Sequence, residues 1–196
     1  HLARFDTLTR LPNRMQLTEA VRKAMQTAEQ WNGRCGFMMI DLDRFKAVND
    51  TLGHPVGDRL LARVSDRLRS IMTDNELCGR LGGDEFAIVV KDASDTQYME
   101  LLANKIIETL SRPYEVDQHT LYIGASVGTA IGPRDGRTVE MLMRSADLAL
   151  YRSKDQGGGA FTHYEPKLHV QAEERRVMEM ALRKALEKDE LSLNYQ

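Results

Sequence analysis

Two short segments hold residue types that can do chemistry. Ile40-Asp41-Leu42-Asp43 closes a near-continuous apolar run that begins at Cys35. Residues i and i+2 of a strand share a face, so Asp41 and Asp43 are expected to converge at the strand's C-terminal end. Paired carboxylates there can hold a hard cation such as Mg²⁺ through oxygen ligands. An unpaired buried carboxylate is costly, which favours a ligand role for Asp41. Asp43 has the plainer option of capping the next helix. The second segment is Gly82-Gly83-Asp84-Glu85. Its glycines permit positive φ and close approach of a ligand to the backbone. In a regular strand Asp84 and Glu85 would face opposite sides, with Asp84 on the side of Phe86, Ile88 and Val90. Only one of the two then joins Asp41, unless the turn distorts the strand. The alternative for both is a solvated hairpin tip.

Other residues could receive a nucleotide. Arg44-Phe45-Lys46 opens a helix, whose free N–H groups and positive dipole end form a seat for phosphate. Lys154 lies near the end of a later helix, just before Gly157-Gly158-Gly159. It either complements that helix dipole or reaches a phosphate. Asn49, and Asp58 within Gly53-His54-Pro55-Val56-Gly57-Asp58, flank a loop. A carboxylate matches the paired N–H donors of guanine, which adenine lacks. Taken singly, each is equally a cap or turn residue. The chain has no Walker-type loop and no GxGxxG. No Ser/His/Asp or Cys/His arrangement suggests acyl transfer.

The elements that must position these residues follow from periodicity. Asn13 to Gln30 has apolar residues at helical spacing, with Gly33 expected as the left-handed cap. Cys35 to Leu42 suits a central strand buried on both faces. Arg44 to Leu52 and Pro55 to Met72 read as helices. Leu77 to Leu81, the two glycines, and Asp84 to Val90 read as a hairpin. A helix from Asp95 to Leu110 stops before Pro113. Tyr114 to Val116 and Thr120 to Ile131 read as strands around a turn at Asp117-Gln118. Thr138 to Gln156 is helical, and Ala160 to Tyr164 a final short strand. This order predicts an α/β (α+β) domain with a mostly antiparallel central sheet flanked by helices.

Length and composition bound the rest. The 196 residues, 42% hydrophobic and 29% charged, describe an ordinary globular chain with room for one full domain and a linker. No apolar run approaches the ~20 residues of a membrane span, so no membrane contact is expected from this segment. Lys and Arg total 27 against 29 Asp and Glu, which gives no basic stripe for nucleic acid. Cys35 and Cys78 are read as buried free thiols rather than a disulfide framework. The chain is expected to be a cytoplasmic piece of a longer protein. From Lys167 to Asp189 the sequence is a charged helical stretch with an apolar stripe at Val177, Met178, Ala181, Leu182, Ala185 and Leu186. Glu190 to Gln196 then alternates like a strand.

The ordered set of motifs resembles one family. Arg80-Leu81-Gly82-Gly83-Asp84-Glu85-Phe86 resembles the signature of the GGDEF family, the diguanylate cyclases. Asp6-Thr7-Leu8-Thr9 with Leu11-Pro12-Asn13-Arg14 resembles the family's opening motif. Asp41 through Asp50, Gly53-His54 with Gly57-Asp58, and Ala146-Asp147 through Lys154 resemble its metal and phosphate, base-recognition and late-helix segments. The match runs from about Phe5 to Tyr164. Ala172-Glu173-Glu174-Arg175 through Gln196 resembles the start of an EAL phosphodiesterase domain. The expected organisation is an opening motif at 1–12, a GGDEF domain at 13–165, and at 166–196 a linker helix with the first strand of an EAL domain.

The resemblance implies a fold like nucleotidyl cyclases and polymerase palms. It implies condensation of two GTP into cyclic di-GMP across a homodimer, at least a transient one, because each domain holds one GTP. Asp41, the carbonyl of Leu42, and Asp84, with Glu85 helping, would hold Mg²⁺, with Mn²⁺ as an alternative. Asp84 would also be the proton acceptor. Asn49, His54 and Asp58 would contact the nucleotide, and Gly82 and Gly83 would line it. The amides of Arg44 and Phe45, with Lys46 and Lys154, would hold the phosphates. The alternative is a GTP-binding module with little turnover that controls an adjoining EAL domain. Three departures stand out. Gly158-Gly159 replaces the family's frequent Arg-Asn after the late lysine, and Arg10 replaces a common glycine. The offset of the family's product-binding Arg-x-x-Asp is filled by Thr73-Asp74-Asn75-Glu76, which predicts weak or absent product inhibition.

Overall fold

The computed structural model describes residues 3–194. The chain divides into two compact units between Tyr164 and Glu165. The first is built on a five-stranded sheet in the order β2-β3-β1-β6-β7. The strands are β1 Cys35–Asp43, β2 Glu76–Gly82, β3 Glu85–Val90, β6 Gly124–Gly132 and β7 Phe161–His163. All neighbours are antiparallel except β6 and β7, so the expected α+β class with a mostly antiparallel sheet is observed.

Alternation along β1 decides the two layers. Met38, Ile40 and Leu42 join Phe86, Ile88 and Val90 in the core shared with α3 (His54–Ile71) and α4 (Tyr98–Leu110). The intervening residues, Asp41 and Asp43 among them, fall on the opposite face. That face carries α1 (Arg14–Gln30) and α5 (Val139–Asp155), which pack on the sheet and on each other. The short α2 (Phe45–Leu52) connects β1 to α3 and packs against it. Cys35 and Cys78 are buried and free, and burial pushes the Cys78 thiol up to about 12.

Several local features differ from the sequence expectation. At the end of α1 the left-handed residue is Asn32 (φ 53), not Gly33. Gly33 N–H donates to the Ala28 carbonyl at 2.7 Å and Asn32 N–H to Glu29 at 3.4 Å, a Schellman arrangement in which asparagine tolerates the αL position. The expected strand from Thr120 to Ile131 is two strands. β5 (His119–Leu121) pairs with β4 (Tyr114–Val116) in a separate ribbon, and β6 starts at Gly124. Asp117 and Gln118, both at positive φ, form the two-residue turn of that ribbon, as the strands' twist demands. The helix expected from Asp95 starts at Tyr98. In the second unit, α6 runs unbroken over Lys167–Asn194. The strand expected at Glu190–Gln196 is therefore helix through Asn194, and its last residues lie outside those described. A strand needs a neighbour for its N–H and C=O groups, whereas a helix pairs its own.

The opening motif is a tight loop closed on itself. Asp6 accepts from the Thr9 N–H and hydroxyl at 2.8 and 2.7 Å, and the Arg10 N–H donates to the Asp6 carbonyl at 2.8 Å. Arg10 sits at φ 64, where a Cβ is crowded and glycine is not. This accounts for the glycine common there in the family that the motif resembles. Arg10→Gly is expected to stabilise the fold by about 1 kcal/mol, the αL penalty less the added chain entropy. The check is a rise of a few degrees in the thermal midpoint.

Candidate functional site

Asp41 stands at the end of β1 with Glu85 directly across the ladder on β3. Cross-strand partners share a face, so Glu85, not Asp84, is the strand residue on Asp41's side. Asp84 nevertheless joins them. Gly82 and Gly83, at φ 141 and 50, and a register shift between Arg80 and Gly82 lift Asp84 out of the strand into the turn. Its carbonyl accepts from the Leu42 N–H at 3.3 Å. Both acids thus approach Asp41, and the distortion that the sequence reading left open is present.

The electrostatics record this crowding. Burial, and then the neighbouring charge of Asp41, push the Asp84 carboxyl up to about 6. Burial first, then Asp41 and Asp147, also hold Glu85 above its ordinary value. Asp147, on α5, is raised by burial and by Asp41. Sequence reading did not place Asp147 in the site; its position about two turns before Lys154 on the same helix, and so on the same face, was the available signal. Lys154 reaches the group from the last turn of α5 and forms an ion pair with Asp41 Oδ2.

Asp41 Oδ1 is buried and has no hydrogen-bond partner. A carboxylate oxygen withdrawn from water without a donor is costly, and a hard cation satisfies it. Asp41, Asp84 and Glu85 bring carboxylate oxygens, the donor type a divalent cation such as Mg²⁺ takes, to one place. Among the described residues, no three such side chains already close around one point.

Asp43 has a different job from the ones expected. It does not cap α2, whose N-cap is Arg44 without a side-chain bond, and both its oxygens are engaged in holding other segments. Its Oδ1 accepts from Ser126 Oγ at 2.8 Å, and its Oδ2 from the Gly159 N–H at 2.9 Å. It anchors the Gly157-Gly158-Gly159 loop to the sheet. All three glycines have positive φ. A Cβ at Gly158 would meet the Asp43 carboxylate at 2.9–3.0 Å.

Arg44 is left-handed (φ 68), so α2 starts sharply after β1, and Phe45 is buried while Lys46 is exposed. The first N–H groups of α2 have no partner within the helix. Asn49 is on α2, whereas His54 and Asp58 lie one turn apart at the exposed start of α3. Asn49 Oδ1 is buried without a partner and faces Gly57, where a Cβ would meet it at 1.8 Å. Gly57 thus makes room for the Asn49 amide. Among the described residues, no hydrogen bond or ion pair joins this base-side group to the acids.

Arg80 locks the signature turn. Its guanidinium donates to the Gly83 carbonyl at 3.0 and 2.8 Å and to both Asp6 oxygens at 3.1 Å. On the far edge of the sheet, Glu76 is 6% exposed. Its Oε2 accepts from the Thr73 hydroxyl at 2.6 Å and the Tyr98 hydroxyl at 2.7 Å.

The family described as "Diguanylate cyclase, GGDEF domain" matches residues 3–160. The chain is 40% identical, over its whole length, to the bifunctional diguanylate cyclase/cyclic di-GMP phosphodiesterase MucR of Pseudomonas aeruginosa, and spans 28% of that protein. It is 36% identical to the cyclic di-GMP phosphodiesterase NbdA of the same organism, and spans 25% of it. The chain thus covers about a quarter of these relatives. Among solved structures, the GGDEF domain of TpbB (YfiN) from P. aeruginosa matches with a TM-score of 0.83 at 31% identity, covering 86% of this chain and 99% of that one.

Proposed function

Because the chain belongs to the GGDEF family of diguanylate cyclase domains, we propose that it condenses two GTP molecules into cyclic di-GMP and two pyrophosphates. The observation that carries this reading is the convergence of Asp41, Asp84 and Glu85 with Lys154 around a buried, partnerless carboxylate oxygen. Asp41, Asp84, Glu85 and the Leu42 carbonyl would hold Mg²⁺ or Mn²⁺. The cation supplies charge neutralisation at the α-phosphate attacked by a 3′-hydroxyl.

The chain's own residues do the rest. The amides of Arg44 and Phe45, with Lys46 and Lys154, hold the phosphates, and Gly82 and Gly83 leave the nucleotide room beside the turn. Asn49 and Asp58, with His54, recognise guanine. Asp84, whose carboxyl burial and Asp41 push up to about 6, accepts the proton of the attacking hydroxyl. One domain holds one GTP, so turnover requires two domains face to face, in at least a transient homodimer. In the full protein an EAL domain adjoins residues 166–196, in the cytoplasm. No helix among the described residues is long and apolar enough to cross a membrane.

A second reading is a GTP-binding module that governs the EAL domain with little turnover. Gly158 and Gly159 favour it, because they offer no side chain to a phosphate. Incubating the purified protein with GTP and Mg²⁺, with chromatography for cyclic di-GMP, decides between them. GTP binding without product would support the module.

The junction at Thr73 and Glu76 bears on control. Threonine has no guanidinium fork for a guanine edge or phosphate, and the Glu76 carboxylate is already held by Thr73 and Tyr98. Initial rates are therefore expected to stay flat, apart from simple competition with GTP, as cyclic di-GMP is added. Strong non-competitive inhibition that disappears on replacing Thr73 and Glu76 would contradict this.

A further inference from the structure

Lys154 is placed with more care than a solvated helix-end lysine needs. The residue before it, Ser153, is buried. Its hydroxyl donates to the Val127 carbonyl on β6 at 3.0 Å and bonds the Thr162 hydroxyl on β7 at 2.7 Å. The last turn of α5 is thereby fixed to the sheet, and the next residue projects its ammonium onto Asp41 Oδ2. The other oxygen of Asp41 remains buried and without a donor. The Asp41 side chain is 14% exposed and that of Lys154 38%. The carboxylate is therefore confined, while the lysine keeps a path to solvent.

We propose that Lys154 is a resident cation that competes with the divalent metal for Asp41, so that metal and nucleotide phosphate bind cooperatively. The proposal rests on the reading of Asp41 and its neighbours as the metal site. A doubly charged ion at Asp41 Oδ1 would lie within a few ångströms of an ammonium on Oδ2. Like charges that close, in a part-buried setting, repel strongly. Lys154 must then give up Asp41 for a divalent ion to bind well. Its flexible four-carbon stem permits the move, and a triphosphate offers it a new anionic partner. Each ligand removes an obstacle to the other, which is a coupling free energy between two subsites. A lysine that merely complemented the α5 dipole, with its ammonium in solvent and off Asp41, would weaken metal binding far less, because solvent screens the repulsion.

The test uses Mn²⁺ alone as the probe, without nucleotide, followed by electron paramagnetic resonance. Four proteins are compared: the native chain, Lys154→Met, Lys154→Arg and Asp41→Asn. Lys154→Met keeps the stem and removes the charge, so Mn²⁺ is expected to bind about tenfold more tightly, within the usual range for coupled sites. Lys154→Arg keeps the charge and is expected to bind Mn²⁺ as weakly as the native chain. GTP in the presence of a chelator is expected to bind Lys154→Met more weakly. Equal or weaker Mn²⁺ binding by Lys154→Met, with binding still lost in Asp41→Asn, overturns the competition and leaves the metal site standing. Mn²⁺ binding that survives Asp41→Asn overturns the site and the inference together.

Discussion

Asp84→Asn is expected to abolish cyclic di-GMP synthesis and, in a chelating buffer, to make the protein more stable at neutral pH. The activity loss should reach about 10³-fold, because exchanging an anionic ligand and proton acceptor for a neutral amide costs about 4 kcal/mol of transition-state stabilisation. The stability gain follows from linkage. The Asp84 carboxyl is pushed from 3.8 up to about 6 by burial and by Asp41. Between those values the folded chain binds more protons at this site than the unfolded chain, so stability falls as pH rises through the interval. Above it the folded state carries a charge that its surroundings disfavour. Asparagine removes that charge while keeping the shape. The expected record is a thermal midpoint raised by a few degrees at pH 7.5 and little changed at pH 4, beside a dead enzyme. Product at the native rate would remove Asp84 from the site. A lower midpoint at pH 7.5 would show that its charge is not a burden to the fold.

Gly128→Ala is expected to cause the largest loss of stability of any single methyl group in this fold. A Cβ at Gly128 would lie 2.2 Å from the Ala146 carbonyl oxygen and 2.2 Å from the Leu150 nitrogen. Both are main-chain atoms of α5, so no side chain can turn aside. The helix itself must lift from β6. Overpacking usually costs about 1–3 kcal/mol, and a clash with rigid backbone belongs at the upper end or beyond it. The shift would carry Ser153, Lys154 and Asp147 away from the acids, so GTP binding should fail along with stability. Urea unfolding of Gly128→Ala beside Gly33→Ala is the measurement. At Gly33 the nearest atom to a new Cβ is Ser94 Oγ at 3.6 Å, an ordinary contact, so that variant should unfold close to the native midpoint. Near-native unfolding of Gly128→Ala would show that α5 does not rest on β6 as closely as described.

The contrast between those glycines shows what a sequence discloses. Gly33 drew attention because it follows a helix, yet the left-handed position belongs to Asn32. Gly128 drew none, because its role is set by a helix that comes close only in three dimensions. The elements themselves were readable. The apolar run of β1, the helical periodicity of α1 and α5 and the Gly82-Gly83 turn each follow from local chemistry, and each was observed. The strand reading of Glu190–Asn194 failed because alternation alone does not supply a partner strand, and the helix of α6 continues instead. At the site, Asp41 was legible as a carboxylate ending a buried strand. The approach of Asp84 was not, since it depends on a register shift at Arg80/Gly82 that breaks the period of two. Asp43 misled for a similar reason: strand geometry gives its face, but only the folded chain brings Ser126 and Gly159 to its two oxygens.

The closed junction at Glu76 has a consequence for the level of product in a cell. A synthase with a product-sensing site behaves as a thermostat, slowing as its output accumulates and holding a set point. With Glu76 Oε2 held by Thr73 and Tyr98 and no arginine at position 73, a chain that condenses GTP as proposed would run as an open tap. The steady concentration would be fixed by the drain, meaning the rate at which hydrolases remove the messenger, and would scale with the number of active synthase molecules. A cell could then dial the signal by degradation alone, with a response time equal to the messenger's lifetime.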